Sequence, residues 1–141
     1  MSDFTGRVLV VDDDAMVRRW AELSLDGSEF RLVGEASSIA EAVEAAERCA
    51  PDLLLVDLRL PDGVGTDLVR ALRLRNVRAP ALLMTATRSE GLNETALEAG
   101  AQGTVLKTGS PDELLAALRA VAGGERTFDS RHPSDHGVTP P

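Results

Sequence analysis

Residues 8–16 read VLVVDDDAM, a run of four apolar residues that leads directly into three aspartates. Three of the four apolar residues are β-branched, which favours a strand that is covered on both faces. The carboxylates of Asp12, Asp13 and Asp14 repel one another, so they are unfavourable at the end of a buried strand unless a cation lies among them. The junction therefore predicts a buried parallel strand with a site at its carboxyl end.

Four more short apolar runs follow, and segments of helical spacing separate them. Together with residues 8–11, the runs at 31–36, 53–56, 81–84 and 104–106 predict five strands. A β-α order repeated five times predicts an α/β fold with a five-stranded parallel sheet, doubly wound, with right-handed crossovers and helices on both faces.

The segments between the runs carry apolar stripes that predict amphipathic helices. The stripes are Met16, Trp20 and Leu23 in the first helix, Ile39, Val43 and Ala46 in the second, Leu68, Val69 and Leu72 in the third, and Leu114, Leu115, Leu118 and Val121 in the fifth. The fourth segment contains Gly91 and Asn93, which are poor helix formers, so we expect its start to be frayed or mobile.

Capping residues mark several helix boundaries. Ser38 and Glu41 predict a capping box at the start of the second helix. Ser110 followed by Pro111 predicts the start of the last helix, and the glycines at 123–124 predict its end. Asp14 is interpreted as the cap or first residue of the first helix.

Length and composition suit one globular domain of residues 1–124, followed by a flexible tail or linker at 125–141 that has no periodicity. The net charge of −8 argues against nucleic-acid binding by this segment. The single cysteine, Cys49, excludes an internal disulfide and suits a reducing compartment. No signal peptide or membrane-spanning run is evident, so the sequence predicts a cytoplasmic protein that does not contact the membrane.

Polar side chains follow four of the predicted strands and should meet at one edge of the sheet, where open parallel sheets bind ligands. They are Asp12 with Asp13, then Asp57, Thr85 and Lys107. Each has an ordinary alternative: loop or cap aspartates, a capping threonine, a solvated lysine. The convergence of four strands on one edge favours a functional site.

The residue types at this edge suit phosphoryl transfer. Three close carboxylates raise one another's pKa unless a cation is present, and Mg²⁺ prefers such oxygen ligands. A metal, a lysine and a hydroxyl could together neutralise the oxygens of a phosphoryl group. A central carboxylate could then act as the nucleophile and form an aspartyl phosphate.

The stretches VLVVDDDAMVR, DLLLVDLRLPDGVGTDLVRALR, ALLMTA and LEAGAQGTVLK closely resemble the receiver domains of bacterial two-component response regulators, the CheY-like family, from about Arg7 to Gly124. Three details are similar to the NarL/FixJ/LuxR-type subfamily, whose receivers precede a helix-turn-helix DNA-binding domain. They are LEAGAQG, a Lys107 that is not followed by proline, and SPDELLAALRAVAGGER.

The resemblance implies a magnesium site. Asp57 matches the phosphoacceptor, whose carboxylate also ligates Mg²⁺. Asp13 would ligate the ion directly, Asp12 would act mainly through water, and the backbone carbonyl of Arg59 would supply a further ligand.

The resemblance also implies a switch. Lys107 would pair with the phosphoryl oxygens, and Thr85 would move its hydroxyl to the phosphate. Many receivers have an aromatic residue three positions before the lysine, but this chain has Thr104 there, so switching by aromatic rotation is impossible. Arg59 and Thr87 flank the expected path of a hydrolytic water, and Arg59 is expected to affect how long the phosphoryl group survives.

The function that the resemblance implies is a phosphorylation-controlled switch rather than a turnover enzyme. A sensor histidine kinase would supply the phosphoryl group, and the face made by helix 4, strand 5 and helix 5 would respond, with homodimerisation as one possible output. DNA would be bound only through a domain absent from this chain. The alternative is a stand-alone single-domain receiver acting through protein–protein interaction, which the end of the chain at Pro141 would suit.

Other classes fit less well. A phosphatase of the haloacid-dehalogenase type needs a second aspartate two residues after the nucleophile, where this chain has Arg59. The chain has neither a GxxxxGK[ST] loop nor a GxGxxG turn after the first strand, which argues against nucleotide binding. His132 and His136 lie in a proline-containing tail, where chance explains their spacing better than a metal site.

Overall fold

The computed structural model describes residues 6–87 and 91–128, and their sheet strands and helices alternate along the chain. The sheet strands are β1 Gly6–Val11, β2 Phe30–Ala36, β3 Leu53–Asp57, β4 Ala81–Thr85 and β5 Gly103–Leu106. The helices are α1 Ala15–Leu25, α2 Ile39–Cys49, α3 Gly65–Leu74, α4 Leu92–Ala99 and α5 Pro111–Ala122. Each predicted strand is present, extended by one or two residues at one end.

The sheet has the strand order β2-β1-β3-β4-β5, and every neighbouring pair is parallel. This order confirms the predicted doubly wound α/β fold. The order reverses after β1, so the carboxyl ends of β1 and β3 adjoin at the centre of the sheet, where such folds bind ligands. A short antiparallel pair, Arg59–Leu60 with Gly63–Val64, lies between β3 and α3.

Both faces of the sheet are covered, which explains the continuous apolar runs. Along β3, Leu54 and Val56 belong to a core cluster with α2 and α3, whereas Leu53 and Leu55 belong to a second cluster with α1 and α5. Alternate side chains of a strand point to opposite faces, so a strand between two helical layers needs apolar residues at every position.

The predicted stripe of α1 was wrong. The helix buries Val17, Ala21 and Leu25, while Met16 is 75% exposed and Leu23 is 57% exposed. Trp20 is only half-buried. Several small and large apolar residues occupy α1, and the spacing of its largest side chains selected a stripe about one residue away from the face that contacts the sheet.

A matched pair of substitutions in α1 tests which stripe is the core. Leu25 is 2% exposed, so Leu25→Ala is expected to lower the free energy of unfolding by about 2–5 kcal/mol. Leu23→Ala, at the exposed position, should change it by less than about 0.5 kcal/mol. Urea unfolding monitored by circular dichroism measures both values, and similar losses for the two variants would contradict the observed packing.

The caps agree with the sequence, with one difference. Glu41 N–H donates to Ser38 Oγ, as predicted, but the Glu41 carboxylate accepts from the N–H and hydroxyl of Ser37 rather than from Ser38. Gly91 precedes α4 with φ of 74°, the left-handed region that glycine adopts without strain. The expected mobile start of α4 falls partly on residues 88–90, which lie outside the described residues.

The described chain continues past α5 to Phe128. Thr127 forms a parallel bridge with Gly103 at the outer edge of β5. The predicted domain end at residue 124 stays a prediction, and residues 129–141, with His132 and His136, lie outside the described part. No helix among residues 6–87 and 91–128 is long and apolar enough to cross a membrane.

Candidate functional site

The site is a cleft of about 390 Å³ at the carboxyl ends of the central strands. Asp57 ends β3, Thr85 ends β4, and Lys107 follows β5 directly. Asp13 lies two residues after β1 and also lines the cleft. The parallel sheet therefore brings together side chains that are separated by up to 94 residues in sequence, as the alternation of strands and helices predicts.

Three carboxylates form the acidic part of this site. Asp12, Asp13 and Asp57 each have a carboxylate oxygen within 4.8 Å of the others. Asp12 is fully buried, and its Oδ1 accepts from the Asp14 N–H at 2.9 Å. Asp14 turns away and caps α1, accepting from the Met16 N–H at 2.8 Å. The run of three aspartates is thus divided between a site and a helix cap.

The ammonium group of Lys107 lies between two of the carboxylates. Its Nζ is 2.9 Å from Asp12 Oδ2 and 2.9 Å from Asp57 Oδ1. Burial alone would lower the pKa of Lys107, but the hydrogen bonds to Asp12 and Asp57 outweigh it and raise that pKa. Lys107 is therefore a firmly charged cation in the cleft.

Burial raises the pKa of Asp57 above its ordinary value, and the nearby Asp12 adds to this effect. The hydrogen bonds from Lys107 and from the Arg59 N–H, which donates to Asp57 Oδ1 at 3.2 Å, oppose it. The two donors on Oδ1 keep the carboxylate oriented.

Thr85, Thr87 and Thr104 occupy different environments. The buried hydroxyl of Thr85 donates to the Thr87 carbonyl at 2.8 Å, so it faces its own loop. Thr87 lines the cleft. Thr104 lies away from the cleft, and its hydroxyl bonds Asn93 Oδ1 of α4 at 2.8 Å. The structure thus separates Thr104 from the other predicted site residues.

The loop that carries Arg59 is anchored at both ends. The Gly65 N–H donates to the Leu58 carbonyl at 2.7 Å, and a Cβ at Gly65 would overlap the carbonyl oxygen of Asp57. Glycine at position 65 therefore lets α3 begin directly beneath Asp57.

Gly65→Ala is expected to lower the free energy of unfolding by about 1–3 kcal/mol, because the added methyl group overlaps backbone that cannot move freely. Gly123→Ala is the matched control, since its Cβ would make only ordinary contacts, the nearest at 3.4 Å. Urea unfolding of both variants measures the difference; equal stability would contradict the close approach at residue 65.

Two residues at the site's margin were not predicted. The Asp62 carboxylate accepts from the Ile39 and Ala40 N–H groups at 2.8 and 3.1 Å, and these bonds lower its pKa. It ties the loop after β3 to the start of α2. Trp20 Nε1–H donates to the Gly109 carbonyl at 3.1 Å, in the loop that carries Lys107. Both contacts join segments far apart in sequence, so no local motif marks them.

The donor set fits a hard divalent cation. All the clustered side-chain ligands are carboxylate oxygens, the ligands that Mg²⁺ prefers. Asp13 is exposed at the mouth of the cleft, so an ion there could keep several waters. Lys107 pairs with Asp12 and Asp57. Asp13 has no such ion pair with Lys107 and is the most exposed of the three carboxylates.

Comparisons with known proteins agree with this geometry. The family profile of the response regulator receiver domain matches residues 8–119. The transcriptional activator DevR/DosR of Mycobacterium tuberculosis is 37% identical over 126 residues, covering 89% of this chain and 58% of that protein. The nitrate/nitrite response regulator NarP of Escherichia coli is 37% identical over 128 residues, with coverage of 89% and 59%. The chain thus spans less than two thirds of the length of these curated relatives.

Solved structures have the same fold. A LuxR-family response regulator from Aurantimonas sp. SI85-9A1 aligns with a TM-score of 0.83 at 31% identity, covering 89% of this chain and 91% of that one. A CheY-like receiver domain protein from Methanospirillum hungatei JF-1 aligns with a TM-score of 0.72 at 28% identity, covering 85% and 95%. Because the profile spans most of the chain and the sheet carries an acidic cleft at its carboxyl edge, the chain belongs to the response regulator receiver domain family.

Proposed function

We propose that this receiver domain takes a phosphoryl group on Asp57 from the phosphohistidine of a sensor histidine kinase and acts as a switch, without enzymatic turnover. The observation that carries the proposal is the position of Lys107 Nζ, 2.9 Å from both Asp12 and Asp57, beside the exposed carboxylate of Asp13. Such a cleft has a nucleophile, a cation and a cluster of oxygen ligands within reach of one phosphoryl group.

The chemistry is an in-line displacement. Asp57 Oδ1 already accepts from Lys107 and from the Arg59 N–H, so we assign the attack to Oδ2. A bond forms between Oδ2 and phosphorus, the bond from phosphorus to the donor imidazole breaks, and its electron pair stays on the imidazole nitrogen. Lys107 then pairs with a phosphoryl oxygen and neutralises part of its charge.

Asp13, Asp57, the backbone carbonyl of Arg59 and, through water, Asp12 would hold Mg²⁺. When bound, the ion supplies a second positive charge for the phosphoryl oxygens and relieves the repulsion among the carboxylates.

The switch would begin at Thr85. A phosphoryl group on Asp57 brings about −1.5 to −2 of charge into the cleft. The Thr85 hydroxyl would exchange the Thr87 carbonyl for a phosphoryl oxygen, and the loop after β4 would follow it toward the cleft. The α4–β5–α5 face would report this movement, as a shift between two states that the domain already samples.

The output that relatives support is transcriptional control through an attached DNA-binding domain. DevR/DosR is named as a DNA-binding transcriptional activator, and this chain covers 58% of that protein. The protein would then act in the cytoplasm, with DNA bound by a domain outside this chain. A stand-alone receiver acting on other proteins is the second candidate.

Incubation with acetyl phosphate tests the proposal. With Mg²⁺ present, the intact mass should show a single phosphoryl adduct, located on the peptide that contains Asp57. With EDTA in place of Mg²⁺, the adduct should be lost. An adduct that forms equally well with Mg²⁺ and with EDTA, or an adduct on another peptide, would contradict the proposed site.

A further inference from the structure

Residues 125–128, which follow α5 and are called the strap below, lie along the outer edge of β5. The Thr127 N–H donates to the Gln102 carbonyl at 2.9 Å, and the Thr104 N–H donates to the Thr127 carbonyl at 3.1 Å. These two bonds form a single parallel bridge between Thr127 and Gly103 of β5. Phe128, half-buried, packs against the core cluster that includes Ala96 of α4.

The sequence of β5 accommodates the strap. A Cβ on Gly103 would overlap the carbonyl oxygen of Thr127, so a side chain at position 103 would displace the strap. The close approach of the two backbones therefore depends on glycine at position 103 of β5.

An uncovered edge strand presents unpaired N–H and C=O groups and is a template for pairing with another chain. β5 is the last strand in the sheet order, and both α4 and α5 contact it. Thr127 and Phe128 also line a groove of about 380 Å³ together with Leu106, Glu113 and Ala116. A partner that binds this face would therefore contact Thr127 and Phe128 of the strap.

We propose that the strap is the resident occupant of the α4–β5–α5 face and competes with a second copy of this chain for it. The inference rests on the proposed function only for the identity of the competitor, since that function makes this face the responsive one and the family resemblance implies homodimerisation as one output of it. Docking of the strap keeps the face closed, and its release opens the face to the partner.

Thr104 connects this strap to α4. Its hydroxyl bonds Asn93 of α4, while its backbone N–H bonds the strap. A shift of α4 on phosphorylation would thus act on the residue that holds the strap. This gives position 104 a role in switching that needs no aromatic side chain.

Thr127→Pro removes the N–H that bonds Gln102, and Thr127→Ser keeps it, so the two variants form a matched pair. Amide exchange of Thr104, followed by NMR, reports strap docking without any phosphoryl group. In the parent and in Thr127→Ser this amide should be protected, and in Thr127→Pro it should exchange about ten-fold faster, as expected from the loss of two backbone hydrogen bonds.

Sedimentation equilibrium of the beryllofluoride-loaded proteins then measures self-association. If the face can bind a second copy only when the strap is released, the apparent affinity of dimerisation scales with the fraction of protein whose strap is released. Dimerisation of Thr127→Pro should therefore tighten by about the same ten-fold factor. Equal Thr104 exchange in the parent and Thr127→Pro would overturn strap docking. Lost protection without tighter dimerisation would overturn the competition. A parent that does not bind beryllofluoride would overturn the proposed function instead, and the exchange comparison would still decide whether the strap docks.

Discussion

Asp57→Asn is expected to abolish phosphoryl uptake from acetyl phosphate completely, under conditions in which the parent is fully converted. The amide retains the size of the carboxylate and can still accept from the Arg59 N–H, so the cleft should keep its shape. Its oxygen, however, lacks the negative charge that the proposed attack on phosphorus requires. Intact mass spectrometry measures the outcome.

Asp14→Asn is the matched control for this substitution. Asp14 lies in the same acidic run but caps α1, and asparagine caps helices about as well as aspartate. Its phosphoryl adduct should equal that of the parent. An adduct of parental yield on Asp57→Asn would show that another carboxylate is the acceptor.

Asp57→Asn should also change how the free energy of unfolding depends on pH. Burial raises the pKa of Asp57 in the folded protein, so the folded state binds more protons than the unfolded state above the ordinary carboxyl value of 3.8. The protonated Asp57 carboxyl therefore stabilises the folded state at low pH, and this stabilisation is lost as pH rises from that value through the raised pKa. Asp57→Asn removes the dependence, so in EDTA its stability advantage over the parent should grow across that window and then level off.

Lys107→Ala is expected to have the second large effect, on both stability and reaction. Without the ammonium group, two carboxylates that are almost completely buried lose their shared cation. Removing one partner of a buried ion pair typically costs 3–5 kcal/mol; we expect about 3 kcal/mol in EDTA because the cleft is open to water. Uptake of the phosphoryl group should fall by about 10²-fold, as for loss of one preorganised donor to a developing anion.

Mg²⁺ distinguishes this electrostatic effect from a packing defect. The ion should restore part of the stability of Lys107→Ala, and stabilise it more than it stabilises the parent, because it neutralises the same carboxylates. Lys107→Arg keeps the charge and should lose much less stability in EDTA. Urea unfolding with and without Mg²⁺ measures all three proteins. A loss of stability in Lys107→Ala that Mg²⁺ leaves unchanged would contradict this account.

The sequence was sufficient for the sheet because the signal there is repeated. Each buried strand needs apolar residues on both faces, and residues 53–56 and 81–84 are apolar without interruption. The proximity of Asp12, Asp57 and Lys107 follows from topology alone, since the ends of parallel strands share one edge. The chemical roles of these residues came from the resemblance and remain proposals.

What the sequence did not predict depends on tertiary geometry. The buried face of α1 is set by how the helix lies on the sheet, and it includes the small, fully buried Ala21. The contact of Asp62 with α2 bridges more than twenty residues. The strap makes only a few hydrogen bonds to β5, so it leaves no apolar period in the sequence.

Trp20 gives this protein an intrinsic optical probe. It is the only tryptophan, and the chain has no tyrosine, so near-ultraviolet excitation above the phenylalanine band yields emission from one ring. That ring is half-buried and bonded to the Gly109 carbonyl, two residues beyond Lys107. Its emission therefore depends on the position of the loop that carries Lys107, and stopped-flow fluorescence can follow that loop in real time without an attached dye.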